Sequence, residues 1–84
     1  MSQSTAAHQA VHIAVNTMPV TVSGPRLTGR EIKSAAIEQG VQIDLAFQLS
    51  VRHGPRQTQI VGDDEMIAVH DWLQFIAVAG DDNS

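Results

Sequence analysis

Thr28 and Glu31 stand three residues apart at the head of an apolar stripe, the T-x-x-E spacing of a capping box. In that box the threonine side chain accepts from the third helical N–H while the glutamate reaches back to the threonine's own N–H, so Thr28 is the expected N-cap. Leu27 just before the cap and Ile32 at the fourth helical position have the spacing of a hydrophobic staple. Ile32, Ala35 and Ala36 make a narrow buried stripe, with Arg30, Lys33 and Glu38 expected to point to water. Gly40 falls where a left-handed C-terminal cap belongs. The result is one helix of about three turns, roughly residues 29 to 39, and it is the best-marked local structure in the chain.

Strand signals lie on both sides of it. Val11, Ile13 and Val15 alternate with His12, Ala14 and Asn16, the period of a half-buried strand, and Val20-Thr21-Val22 has the same β-branched character. Asn16-Thr17-Met18-Pro19 supplies the turn, and Pro19, lacking an N–H, fits the start of the second strand or an edge. After the helix, Leu45, Phe47, Leu49 and Val51 alternate with Ala46, Gln48, Ser50 and Arg52, which predicts a strand from Leu45. His53-Gly54-Pro55-Arg56 reads as a turn and Gln57-Thr58-Gln59-Ile60-Val61 as its partner strand. Asp63-Asp64-Glu65 ahead of Met66-Ile67 predicts a short helix or 3₁₀ turn, because acidic residues favour a helix start. A last strand runs over about residues 73 to 79, with Trp72 expected to cap one end of the core. The fold class is α+β: a mixed sheet of four to five strands with one main helix packed across it.

With 84 residues at 43% hydrophobic, the chain has material for one core and not two. The expected organisation is a disordered leader over residues 1–9, a domain over 10–80 and a short acidic tail over 81–84. Cysteine is absent, which excludes disulfides, thiolate metal sites, a cysteine nucleophile and a thioester on this chain. Net charge is −4 with only Arg26, Arg30, Lys33, Arg52 and Arg56 as basic residues, so nucleic acid is not an expected partner. The leader lacks the basic start and apolar centre of a signal peptide, and no apolar run reaches the roughly 18 residues of a membrane span, so a soluble cytoplasmic protein with no membrane partner is expected.

Catalytic and cofactor chemistry find no support in the residues. His8, His12, His53 and His70 are scattered at spacings a metal site does not use. Asp63-Asp64-Glu65 lacks the alternating ligands and central glycine of a calcium loop, and there is no glycine-rich phosphate cradle. No enzyme and no cofactor are expected.

Two hairpins and one crossover helix match the β-grasp arrangement. The segments Val15-Asn16-Thr17-Met18-Pro19-Val20-Thr21-Val22, Leu27-Thr28-Gly29-Arg30-Glu31-Ile32 and Phe75-Ile76-Ala77-Val78 resemble ubiquitin-like proteins, and more closely the bacterial multiubiquitin type found beside conjugation-like enzymes. The resemblance covers Val11 to Gly80. It implies a modifier precursor: a peptidase removes Asp81, Asp82, Asn83 and Ser84, an E1-like enzyme activates the Gly80 carboxylate with ATP, and an E2-like enzyme helps pass it to an amine on a target protein. Ending in Ala79-Gly80 rather than two glycines departs from ubiquitin.

If Phe75 and Ala77 face the core, alternation turns Ile76 and Val78 to the other face as a patch that could dock partner enzymes. The opposite phase, or a covering loop, would hide them. Lys33, the only lysine, is the one side-chain amine on which chains could grow. Two further readings stay open: a β-grasp interaction module that is never conjugated, and a sulfur carrier, which would need a free terminal glycine and is disfavoured by the four-residue extension.

Overall fold

The computed structural model describes residues 9–80, in which the elements are β1 (Gln9–Val15), β2 (Met18–Gly24), β3 (Arg26–Thr28), α1 (Gly29–Glu38), β4 (Gln48–Gly54), β5 (Gln57–Val61), β6 (Met66–Ala68) and β7 (Gln74–Val78). The leader and tail expected from the sequence lie outside the described residues, apart from the leader's last residue. Five strands form one sheet in the order β2-β1-β7-β4-β5, and β3 pairs with β6 beside it. Strands β1 and β7 run parallel while the other neighbours are antiparallel, which makes the sheet mixed. With α1 across one face this is the α+β, ubiquitin-like arrangement expected from the sequence.

Each boundary has a local cause. Asn16 and Thr17 both take positive φ, 54° and 66°, the two-residue type I′ turn whose twist suits a hairpin. Pro19 lies on β2, an edge strand, where its missing N–H breaks no ladder that a neighbour needs. The capping box is complete: the Glu31 N–H donates to Thr28 Oγ1 at 3.2 Å and the Thr28 N–H donates to Glu31 Oε1 at 2.8 Å. At the other end, Gly40 (φ +98°) donates to Ile37 O and Val41 to Ala36 O, the paired bonds of a Schellman motif. A Cβ on Gly29 would stand 2.4 Å from Gly62 O, so only glycine lets the helix start abut the 62–65 turn.

Ile32 and Ala36 on α1 pack with Val15, Val20, Leu49, Val51 and Phe75 in one core from which water is excluded. Leu27 and Ala35, half-buried, pack against the same cluster.

Four expectations are corrected. Lys33 does not point to water: it is 3% exposed, and its ammonium donates to Leu45 O and Phe47 O at 2.7 Å each while pairing with Asp63 Oδ1 at 2.7 Å. The strand expected from Leu45 therefore begins at Gln48, because Lys33 gathers the Leu45 and Phe47 carbonyls and Phe47 N–H turns back to Asp44 O at 3.0 Å. Side-chain alternation continued through that curl but backbone pairing did not. After Gly62 the expected short turn forms, with Glu65 N–H reaching Gly62 O three residues back and the Glu65 carboxylate taking the Gly62 N–H, but no helix follows it: Met66 and Ile67 belong to strand β6. Its backbone serves the start of α1 instead, Gly29 and Arg30 donating to Glu65 O and Asp63 O at 3.2 Å. Lastly, Trp72 caps no core; it is 81% exposed.

Lys33 supplies three bonds that nothing else in the described chain replaces. Lys33→Met keeps the apolar stem but leaves the part-buried Leu45 and Phe47 carbonyls without their donor, and urea unfolding should show a loss of about 3 kcal/mol. That is a large share of the ~5 kcal/mol expected for a domain this small; a loss under about 1 kcal/mol would contradict the assignment.

Asp63 adds a pH signature. The hydrogen bond from Lys33, with the nearby charges of Lys33 and Arg30, holds its carboxyl below the ordinary value of 3.8 against a partial desolvation that acts the other way. A carboxyl depressed in the folded state stabilises fully above its unfolded value and loses that contribution as pH falls through the folded value. Asp63→Asn should therefore be less stable than the parent at neutral pH, with the gap narrowing in an acid titration below 3.8. A gap independent of pH would mean that the ion pair is not what the carboxylate supplies.

Candidate functional site

Strand β7 runs through the middle of the sheet between β1 and β4 and delivers the chain to Gly80. Its inward residues, Phe75 and Ala77, are buried, and the alternation turns Ile76 and Val78 to the face opposite the helix. Ile76 is half-buried and Val78 is 52% exposed. Register places Ser50 of β4 beside Ile76 and Ile60 of β5 beside Ser50, so Ile76, Ser50 and Ile60 form one row across three strands. Gln48 stands beside Val78. Ile60 is 59% exposed, and sequence reading missed it; counting parity outward from buried Val61 would have found it.

The patch is therefore Ile76, Ile60 and Val78 around a small serine, open on the sheet face. Its side chains are apolar and branched, which suits them to burial under a partner and to no chemistry of their own.

The far end of β7 is tied down by a residue from the first turn. Asn16 Nδ2 donates to Ala77 O at 2.9 Å, and its Oδ1 accepts from Ala77 N–H at 2.8 Å, while its own backbone N–H donates to Phe75 O. An asparagine in the left-handed region thus continues the parallel ladder after β1 has turned away. The sequence marks Asn16 as the end of the first strand's alternation and the start of the turn, and carries no local sign of this clasp. Beyond this clasp β7 continues only to Val78, and Gly80 follows two residues later. Gly80 is exposed, yet the main body is close: a Cβ there would be 3.4 Å from Ala46 O.

Lys33, singled out as a chain-linkage amine, is brought nowhere near this surface in reactive form. All three of its ammonium hydrogens have acceptors within the fold, and the side chain is buried. Nucleophilic attack requires a deprotonated, accessible amine, so this geometry opposes linkage through Lys33 in the folded domain.

His12, His53 and His70 are exposed and spread over separate strands and loops. Among the described residues no three His, Asp or Glu side chains are placed to hold a metal ion, and no helix is long and apolar enough to cross a membrane.

Searches among curated proteins and among solved structures found no match. A family model described as Multiubiquitin matches residues 11–79, from the first strand of the sheet through β7, and the chain belongs to the multiubiquitin family.

Proposed function

We propose that this domain is a ubiquitin-like protein modifier, made as a precursor and used through its C-terminus in a bacterial ubiquitination-like pathway of the cytoplasm. The observation that carries the reading is positional: the family match ends at residue 79, the sheet releases the chain after Val78, and an exposed glycine follows. A peptidase would hydrolyse the Gly80–Asp81 bond and free the Gly80 carboxylate. An E1-like enzyme would then join that carboxylate to the α-phosphate of ATP, releasing pyrophosphate. With an E2-like enzyme acting downstream, a target amine would attack the activated carbonyl, which passes first from AMP to an enzyme thiol and then from that thiol to the amine, releasing AMP and the free thiol in turn and leaving an amide. The chain itself contributes no catalytic group or cofactor; it is the electrophile and the handle. Ile76, Val78 and Ile60 are the surface by which those enzymes would hold it.

A second reading, an interaction module that is never conjugated, is favoured by one feature. Gly80 stands only two residues beyond β7 and beside the Ala46 carbonyl, which leaves a cleft little free arm to enclose. Chain growth on Lys33 belongs to neither reading, given its burial.

Intact mass after coexpression with the cognate peptidase and E1-like enzyme separates the two. The modifier reading expects loss of the four residues after Gly80, then an adduct with a second protein, both abolished by Gly80→Val. An unchanged mass beside enzymes shown to be active would establish the interaction module instead.

A further inference from the structure

Trp72 is the only tryptophan of the chain, and the fold leaves its ring largely outside. Its side chain is 81% exposed and its backbone sits at φ +71°, a region that disfavours bulky residues by about 1 kcal/mol or more. The backbone, not the ring, does the structural work: Trp72 N–H donates to His12 O at 2.8 Å, and the neighbouring Asp71 carboxylate accepts from His12 N–H at 3.0 Å. A large ring held out on a braced, strained loop is the kind of group that binding interfaces use as an anchor.

The ring borders a groove of about 420 Å³ whose other walls include Arg52, His53, His70 and Gln74. A further depression containing Arg56 adjoins it through His53. Between Asp44 and Asp63 the sequence holds no acidic residue, although the chain as a whole carries nine, so the β4–β5 hairpin is a basic segment on an acidic protein. Arg52 and Arg56 have no carboxylate partner among the described residues; Arg52 reaches only the Gly54 and Pro55 carbonyls, at 3.4 Å. Asp71, the acid nearest the ring in sequence, is turned to β1.

We propose that this groove binds a short acidic peptide segment of a partner protein, with an apolar side chain laid on Trp72 and carboxylates on Arg52 and Arg56. Charge complementarity selects the occupant. Two arginines fit a few carboxylates, whereas a long polyanion would meet the surrounding negative charge. The groove lies at the start of β7, the opposite end of that strand from Gly80, so the proposal stands or falls independently of C-terminal processing.

Trp72 is its own reporter. Titration of the intact protein with acetyl-Asp-Glu-Leu-Asp-Leu-Glu-Asp-amide should shift its emission to the blue, saturably and independently of protein concentration. Raising ionic strength from about 0.05 to about 0.3 M should weaken binding several-fold. The same peptide with lysine in place of every acid should not bind. By calorimetry, the double variant Arg52→Glu/Arg56→Glu should lose at least about tenfold in affinity. Trp72→Gly, which relieves the backbone and should fold with a thermal midpoint no lower than the parent's, should lose binding as well.

No saturable shift, equal response to the lysine peptide, or full affinity in both variants would overturn the proposal. Tighter binding of an oligothymidylate would assign the groove to nucleic acid. An emission maximum that moves with protein concentration and is lost on deleting residues 81–84 would assign it to the tail of a second copy.

Discussion

A single ammonium group organises the half of the domain that carries the helix. Lys33 Nζ is 2.7 Å from each of three oxygens belonging to the turn before β4 and the turn after β5. An unpaired buried ammonium would be several kcal/mol unfavourable, so this arrangement holds only if all three acceptors are in place together. That condition couples α1 to both turns and fixes where β4 can start. The same 62–65 turn receives the first two N–H groups of α1, with Gly29 and Gly62 in near backbone contact. Helix, turns and sheet are therefore interlocked by polar contacts on one side and by the Ile32–Phe75 core on the other.

Elsewhere two side-chain amides imitate backbone. Asn16 pairs with both polar groups of Ala77, and Gln39, at the end of α1, pairs with both of Thr21, donating from Nε2 at 2.7 Å and accepting at 2.9 Å. The Gln39 clasp occupies edge groups of β2 that could otherwise recruit a foreign strand. The Asn16 clasp sets the last firmly paired point of β7. Order thus extends to within a few residues of Gly80, so the position of that glycine relative to the patch of Ile76, Ile60 and Val78 is set by the fold. A partner gripping the patch would find Gly80 at a defined place, and would also find the body of the domain close behind it.

Much of this was legible from local rules. The capping box, the Gly40 terminus and both hairpins follow from short-range chemistry in which neighbouring residues decide the outcome, and all are present. Ile76 and Val78 face away from the helix because strand parity requires it once Phe75 is buried. The misses share one cause: a partner distant in sequence. Lys33 looks like a surface residue until Asp63, thirty positions later, comes within reach. Leu45 and Phe47 alternate like strand residues, yet their carbonyls belong to that lysine. Asp63 and Glu65 mark a helix start correctly, but of a helix that lies earlier in the chain. Trp72 looked like core because tryptophan is usually half-buried or more, and only the three-dimensional placement reveals a ring left outside.

Lys33 is a structural cation and not a reactive amine, and this can be measured on the protein alone. Treatment of the folded protein with an acylating reagent, followed by peptide mass analysis, should leave Lys33 unmodified, and the same treatment in urea should modify it fully. Modification of Lys33 in the native protein as fast as a free lysine would contradict the placement of its ammonium, and with it the explanation of how β4, the 62–65 turn and α1 are held together.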